Sequence, residues 1–195
     1  MQTLPRITVE VPVLGVGSGS SDYEELGRYV DALRRPQGLH MTLLHLGILE
    51  DFSQDVADWT KGITSAGAAA QRTVSWLKAL PVSEGFSGTA ERLTVFGGGG
   101  ISGLEVNVPQ YVHDHQLSLV QGLHELLDEL LVDNVDDFIL SSRALGYRYP
   151  RWVPHVAVGR PKTRDRGSLQ IEPLTVEFGE SRIRNGRLLP AADGG

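Results

Sequence analysis

Two histidines stand where strand-forming apolar residues would be expected. His40 lies in Gly38-Leu39-His40-Met41-Thr42-Leu43-Leu44-His45-Leu46-Gly47, and His155 lies in Trp152-Val153-Pro154-His155-Val156-Ala157-Val158-Gly159-Arg160. A histidine in such a run must find partners for two ring nitrogens, a cost that an apolar residue would avoid. Near neutral pH the imidazole is the side chain best able to give or take a proton, so two of them facing one phosphorus or carbonyl centre would act together as acid and base. Strand alternation puts His40 and Thr42 on one face of the first run, and His155 and Ala157 on one face of the second. The same alternation sends His45 to the face opposite His40, as a packing or surface residue.

The elements that must carry these residues follow from periodicity. Arg6 to Leu14 alternates as a strand, and Gly15 to Ser20 reads as a turn. Ser21 and Glu24 have capping-box spacing, and Tyr23, Leu26, Tyr29, Val30 and Leu33 make a helical stripe that Pro36 ends. After the first histidine strand, Leu39 to Gly47, the spacing from Ser53 to Leu80 predicts one helix, weakened by Gly62 and Gly67 and ended by Pro81. Gly85 to Phe96 and Ile101 to Val108 predict a hairpin around Gly97 to Gly100. Pro109 opens a helix whose apolar face carries Leu117, Val120, Leu123, Leu127, Leu130 and Leu131. Asp133 to Tyr149 reads as an ordered loop, Trp152 to Gly159 as the second histidine strand, and Leu169 to Arg184 as one long final strand. The order suggests two similar halves, each contributing one histidine.

Composition narrows the chemistry. The chain has 195 residues, 41% hydrophobic and 22% charged, enough for a sizeable core and unlike a disordered chain. It has no cysteine, which excludes disulfides, thiolate zinc sites and a cysteine nucleophile, so the nucleophile would be water or an oxygen. A net charge of −6 lacks the broad positive field that long duplex nucleic acid requires and fits a small or short anionic substrate. Nothing approaches transmembrane length, and the first sixteen residues do not make a signal peptide, so the expectation is a cytoplasmic protein without membrane contact.

Other motifs point elsewhere only weakly. His113-Asp114-His115 begins a helix, where side chains two apart diverge, and no third metal ligand has matching spacing. Asp133, Asp136 and Asp137 lack the pattern of a calcium loop, and Gly97 to Gly100 lacks the Lys-Ser/Thr of a phosphate-binding loop. Tyr147-Arg148-Tyr149-Pro150-Arg151-Trp152 interleaves aromatic and basic residues, as stacking on a base while pairing with phosphate would need. In the alternative, Tyr149 and Trp152 cover the end of a sheet.

The pattern His40-x-Thr42-Leu43-x-x-Leu46-Gly47, followed far downstream by Pro154-His155-Val156-x-Val158-x-Arg160, resembles the 2H phosphoesterase superfamily. That superfamily includes RNA 2′,3′-cyclic phosphodiesterases, the so-called 2′-5′ RNA ligases and viral hydrolases of cyclic-nucleotide alarm signals. The resemblance implies an α+β fold of two pseudo-symmetric lobes, each an antiparallel sheet with helices outside, forming one domain over residues 1–195 with a central cleft. It also implies in-line displacement by His40 and His155 without a metal or other cofactor, with Thr42 on a phosphoryl oxygen. Which histidine is acid and which is base stays open.

The second motif is incomplete, because Ala157 stands where the superfamily has Thr or Ser. The substrate-binding set is then the Ala157 position with Arg151, Arg160, Tyr149 and Trp152, and Arg143 and Arg148 are further cation candidates. The implied substrate is a nucleotide, a short RNA or a cyclic oligonucleotide. Three other readings are a nucleotide-sequestering module with weak or lost catalysis, a viral anti-defence cyclic-nucleotide hydrolase, and an unrelated α+β protein whose histidines are satisfied core residues.

Overall fold

A computed structural model describes residues 5–17, 20–145, 152–163 and 167–186, with Ser20 and Ser21 described by backbone alone. The elements in order are β1 (Arg6–Val16), α1 (Ser20–Glu24), β2 (Val30–Asp31), β3 (His40–Ile48), α2 (Leu49–Trp59) and α3 (Ala66–Ala79). They continue with β4 (Phe86–Phe96), β5 (Ile101–Asn107), α4 (Gln110–Glu129), α5 (Val135–Ser141), β6 (His155–Pro161), β7 (Leu169–Phe178) and β8 (Arg182–Arg184). The α+β class expected from the sequence is the one found.

All strand pairings are antiparallel, in the order β2-β6-β3-β1-β7-β4-β5, with β8 added beside β1. β5 also pairs with β6, so six of the strands close into a ring. Ile7, Val9, Val11 and Val13 of β1 join Met41, Leu44, Val156, Val158 and Leu104 in one buried cluster that also takes in the inner faces of α2, α3 and α4. Fully burying each such side chain is worth roughly 1.5–3 kcal/mol, so this cluster fixes which face of each strand is left for chemistry.

Several elements depart from their sequence expectation for identifiable reasons. The helix expected to run to Pro36 stops at Glu24 and passes through a 3-10 turn, Glu25–Arg28, into β2. There Val30 pairs opposite Pro161 and packs where Gly159 has no side chain, so tertiary burial overrides the helical stripe. The single helix expected from Ser53 to Leu80 is two, α2 and α3, separated where Lys61 and Gly62 take positive φ and restarted by Ser65, whose hydroxyl accepts from the Ala68 N–H. The loop expected from Asp133 contains α5, whose Phe138 packs edge-on against Trp59 and Phe52. On α4 the buried stripe is Val112, Gln116, Leu119, Val120, Leu123, Leu126 and Leu127, while Leu117 and Leu131 face solvent. The final strand is two pieces, and its short second piece, β8, lies beside β1.

β3 carries the departure that matters most. Its register against β1 runs Pro12↔His40, Val11↔Met41, Glu10↔Thr42, then Val9↔Leu44, Thr8↔His45, then Ile7↔Gly47. Leu43 and Leu46 are therefore extra residues, each a β-bulge that turns over the alternation beyond it. The Leu43 carbonyl accepts from the buried Gln116 amide of α4 at 3.3 Å. Gly47, next to the second bulge, has φ +85° and backs so closely onto the Ala144 carbonyl that no Cβ would fit between them.

Gly47→Ala should therefore cost about 2–4 kcal/mol, since it combines a left-handed backbone with a backbone clash. Gly15→Ala, with nothing within 4 Å of the added carbon, should stay within about 0.5 kcal/mol of wild type. Urea unfolding of the two variants checks this, and equal stabilities would refute the packing described at Gly47.

Candidate active site

β3 and β6 touch through one bridge, Met41 opposite Val156, both fully buried. In an antiparallel pair that register sets His40 opposite Ala157 and Thr42 opposite His155. Since Met41 and Val156 point into the core, these four half-buried residues share the other face. Two stretches more than a hundred residues apart thus meet as a square of two histidines, one threonine and one alanine.

Each histidine is oriented differently. His155 Nδ1 lies 2.8 Å from the Val153 carbonyl oxygen, which only accepts, so Nδ1 carries a proton and Nε2 is the nitrogen left for exchange. Its ring stacks on Phe96 with centroids 4.2 Å apart and planes at 20°. This stack needs Gly103, because a Cβ there would come within 2.8 Å of the Phe96 ring.

His40 Nε2 faces two side chains at once: Glu10 Oε2 at 3.4 Å and Arg184 Nη1 at 3.5 Å. Glu10 is 1% exposed, in the middle of β1. A carboxylate so buried needs paired charge and hydrogen bonds, and β8 supplies them. Arg182 places Nε and Nη2 each 3.1 Å from Glu10 Oε1, Arg184 Nη1 lies 4.0 Å from Oε2, and the Thr8 hydroxyl donates to Oε2 at 3.4 Å. Burial holds His40 below its ordinary value of 6.5. The Glu10 charge opposes this, Arg184 adds to it, a hydrogen bond with the Gly38 backbone opposes it, and Arg182 adds to it. A carboxylate contact alone would raise the ring, so here desolvation together with two guanidiniums outweighs it.

A cavity of about 380 Å³ opens beside His40 and Thr42, lined also by Arg6, Thr8, His45, Arg184 and Asn185. His45 thus shares the face of His40, contrary to the regular-strand expectation, because of the bulge at Leu43. The cavity is locally basic in a chain whose net charge is −6. A larger cavity of about 540 Å³, none of whose lining residues is a histidine, sets Asp22, Glu25 and Glu172 against one cation, Arg28, a net acidic lining that disfavours an anion.

The remaining sequence candidates fall in several places. The half-buried Trp152 donates its indole N–H to the Thr42 carbonyl at 3.1 Å and meets His113 edge-on, so it braces the first motif strand. Arg160 is exposed on β6, opposite Asp31 of β2. Tyr147, Arg148, Tyr149 and Arg151 lie outside the described residues, and Arg143 is exposed. Glu10, Arg182 and Arg184 are not among the residues the sequence singles out. Their only signals are an acid between Val9 and Val11 and two arginines spaced for one strand face. Among the described residues no group of three or more His, Asp or Glu side chains is placed to hold a metal ion, and no helix is long and apolar enough to cross a membrane.

No protein-family model matches the chain, and no curated protein matches it. Its structure is similar to that of a solved protein described as a phosphoesterase, at 12% identity over 92% of this chain and 94% of that one, with a TM-score of 0.46. It is similar to E. coli LigT in its apo form, at 13% identity over 91% and 92% of the two chains, TM-score 0.46. It is also similar to TT0787 of Thermus thermophilus, at 19% identity over 92% and 84%, TM-score 0.40.

Two measurements follow. In Phe96→Leu the ring protons of His155 lose the shielding of the stacked ring, so their NMR resonances should move downfield, and unmoved resonances would contradict the stack. Because His40 titrates lower in the fold than in the open chain, the unfolded state binds more protons below pH 6.5. Stability should therefore fall as pH drops through 6.5 towards the folded value, and His40→Gln should flatten that part of the curve in urea titrations at stepped pH.

Proposed function

We propose that this chain is a phosphodiesterase of the 2H kind, hydrolysing a 2′,3′-cyclic phosphate, a 2′-5′ linkage or a cyclic oligonucleotide by paired-histidine acid–base chemistry without a metal. The observation that supports this reading is the Met41–Val156 bridge, whose register turns His40, Thr42 and His155 to one face, with His40 and Thr42 also lining a basic cavity. The domain is taken as the whole of residues 1–195, two lobes meeting at this face.

In the proposed step a water gives its proton to His40 Nε2 while its oxygen bonds to phosphorus. The bond from phosphorus to the ribose oxygen breaks, and that oxygen takes a proton from His155 Nε2. His40 suits the base because burial keeps it neutral near pH 7. The Val153 carbonyl holds His155 Nδ1–H throughout, so its Nε2 is the exchanging nitrogen. The Thr42 hydroxyl and Arg184 donate to the non-bridging oxygens, where charge develops. The partial burial of His40 and Thr42 strengthens these contacts relative to bulk water.

Ala157, opposite His40, offers no hydroxyl. One missing donor costs roughly 10²–10³ in rate at an oxyanion site, and it reduces turnover more than ground-state binding. That favours a second reading, in which the cleft sequesters a nucleotide and cleaves it slowly.

Incubation with 2′,3′-cyclic nucleotides, 2′-5′ dinucleotides and cyclic dinucleotides in excess EDTA distinguishes the readings. Turnover lost by roughly 10²-fold or more in both His40→Ala and His155→Ala is expected. Tight binding without turnover would favour sequestration, and neither binding nor turnover would refute both. Ala157→Thr should raise or redirect activity, and an unchanged folded variant would refute the role given to that position.

A further inference from the structure

We propose that Glu10 is a positioning residue for His40, its buried carboxylate anchored by Arg182 so that Oε2 accepts the Nε2–H of the protonated ring, while Arg184 donates to the same nitrogen in the neutral ring. The inference rests on the acid–base reading of His40 and adds to it the groups that serve both of its protonation states.

The geometry is specific. Arg182 reaches one carboxylate oxygen through two nitrogens, each at 3.1 Å, and leaves the other oxygen facing the imidazole. The distances from Nε2, 3.4 Å to Glu10 and 3.5 Å to Arg184, are longer than a committed hydrogen bond, so the nitrogen is held by neither group and is open to both. A carboxylate cannot donate and a guanidinium cannot accept. In the tautomer whose Nε2 is free to act as a base, Glu10 therefore serves only the imidazolium, and Arg184 only the neutral ring.

An isolated buried carboxylate would be expensive, and Glu10 stands between the buried Val9 and Val11. Among the described residues, the charged and titratable groups around His40 are Glu10 and Arg6 on β1, Arg182 and Arg184 on β8, His45 on β3 and His155 on β6. The residue directly opposite on β6 is the uncharged Ala157. Glu10 is thus the only acid in this set.

A phosphate entering the cavity competes for Arg184. As the guanidinium turns to the phosphoryl oxygens, His40 loses a cationic neighbour and keeps an anionic one, so the ring becomes more basic when substrate is present. The proton it takes from water is then stabilised by Glu10, which keeps its pairing with Arg182.

The test is an NMR titration of the His40 Cε1–H resonance, assigned by its absence in His40→Gln, in wild type, Glu10→Gln and Arg184→Gln. The midpoint should fall by roughly one pH unit in Glu10→Gln and rise by a similar amount in Arg184→Gln, because the two charges act in opposite directions. Inorganic phosphate should raise it in wild type and have less effect in Arg184→Gln. With a cleavable substrate, Glu10→Gln should lower kcat by roughly tenfold or more with KM little changed. An unmoved midpoint in Glu10→Gln would overturn the proposal. Should that variant not fold, Arg184→Gln, on a half-exposed side chain, decides by the same criterion. The titrations need no turnover, so an inactive protein that shows these shifts would refute the phosphodiesterase reading while leaving the Glu10 pairing intact.

Discussion

The contact between Met41 and Val156 organises this molecule. It is the single bridge between β3 and β6, and both side chains are fully buried. If either strand slipped by one residue, every side chain on it would change face, and a histidine would enter the core while an apolar residue entered the cleft. Burial of two apolar side chains therefore sets the positions of the polar ones. The ring of strands gives this bridge its strength, because β6 is held on its other side by β5, and β3 by β1.

Around that bridge, irregularity supplies what regular strands would not. The bulge at Leu43 returns His45 to the face of His40, and the carbonyls it disturbs find side-chain donors in Gln116 and Trp152. Gly47 accepts the left-handed backbone beside the second bulge. Gly103 gives up its side chain so that Phe96 can lie against His155. These local departures leave the two imidazoles in unlike surroundings, one beside a carboxylate and two guanidiniums, the other beside a carbonyl and an aromatic ring.

Much of this was legible in the sequence. Alternating residues gave β1, the two histidine strands and the β4–β5 hairpin, and the 3.6-residue spacing gave α4. The bulges were not legible, since Leu43 and Leu46 are ordinary strand residues and only the pairing with β1 shows them to be extra. The break between α2 and α3 was hidden because Trp59 and Ile63 continue a helical stripe across Lys61 and Gly62. Glu10 read as the polar half of an alternating strand. Its meaning depends on arginines 172 and 174 residues later, on a strand that sequence pattern alone merges with β7. Long-range charge pairing of this kind leaves no local periodicity to detect.

The proposed chemistry requires one phosphorus centre to sit between His40 and His155. Its most direct test is a crystal structure with a non-cleavable 2′,3′-cyclic nucleotide analogue in excess EDTA. The phosphorus should lie on the β3–β6 face, within hydrogen-bond reach of both Nε2 atoms and the Thr42 hydroxyl, with Arg184 turned from His40 onto a phosphoryl oxygen. A phosphate bound elsewhere, or one touching Arg6 and Arg184 with His155 out of reach, would contradict it.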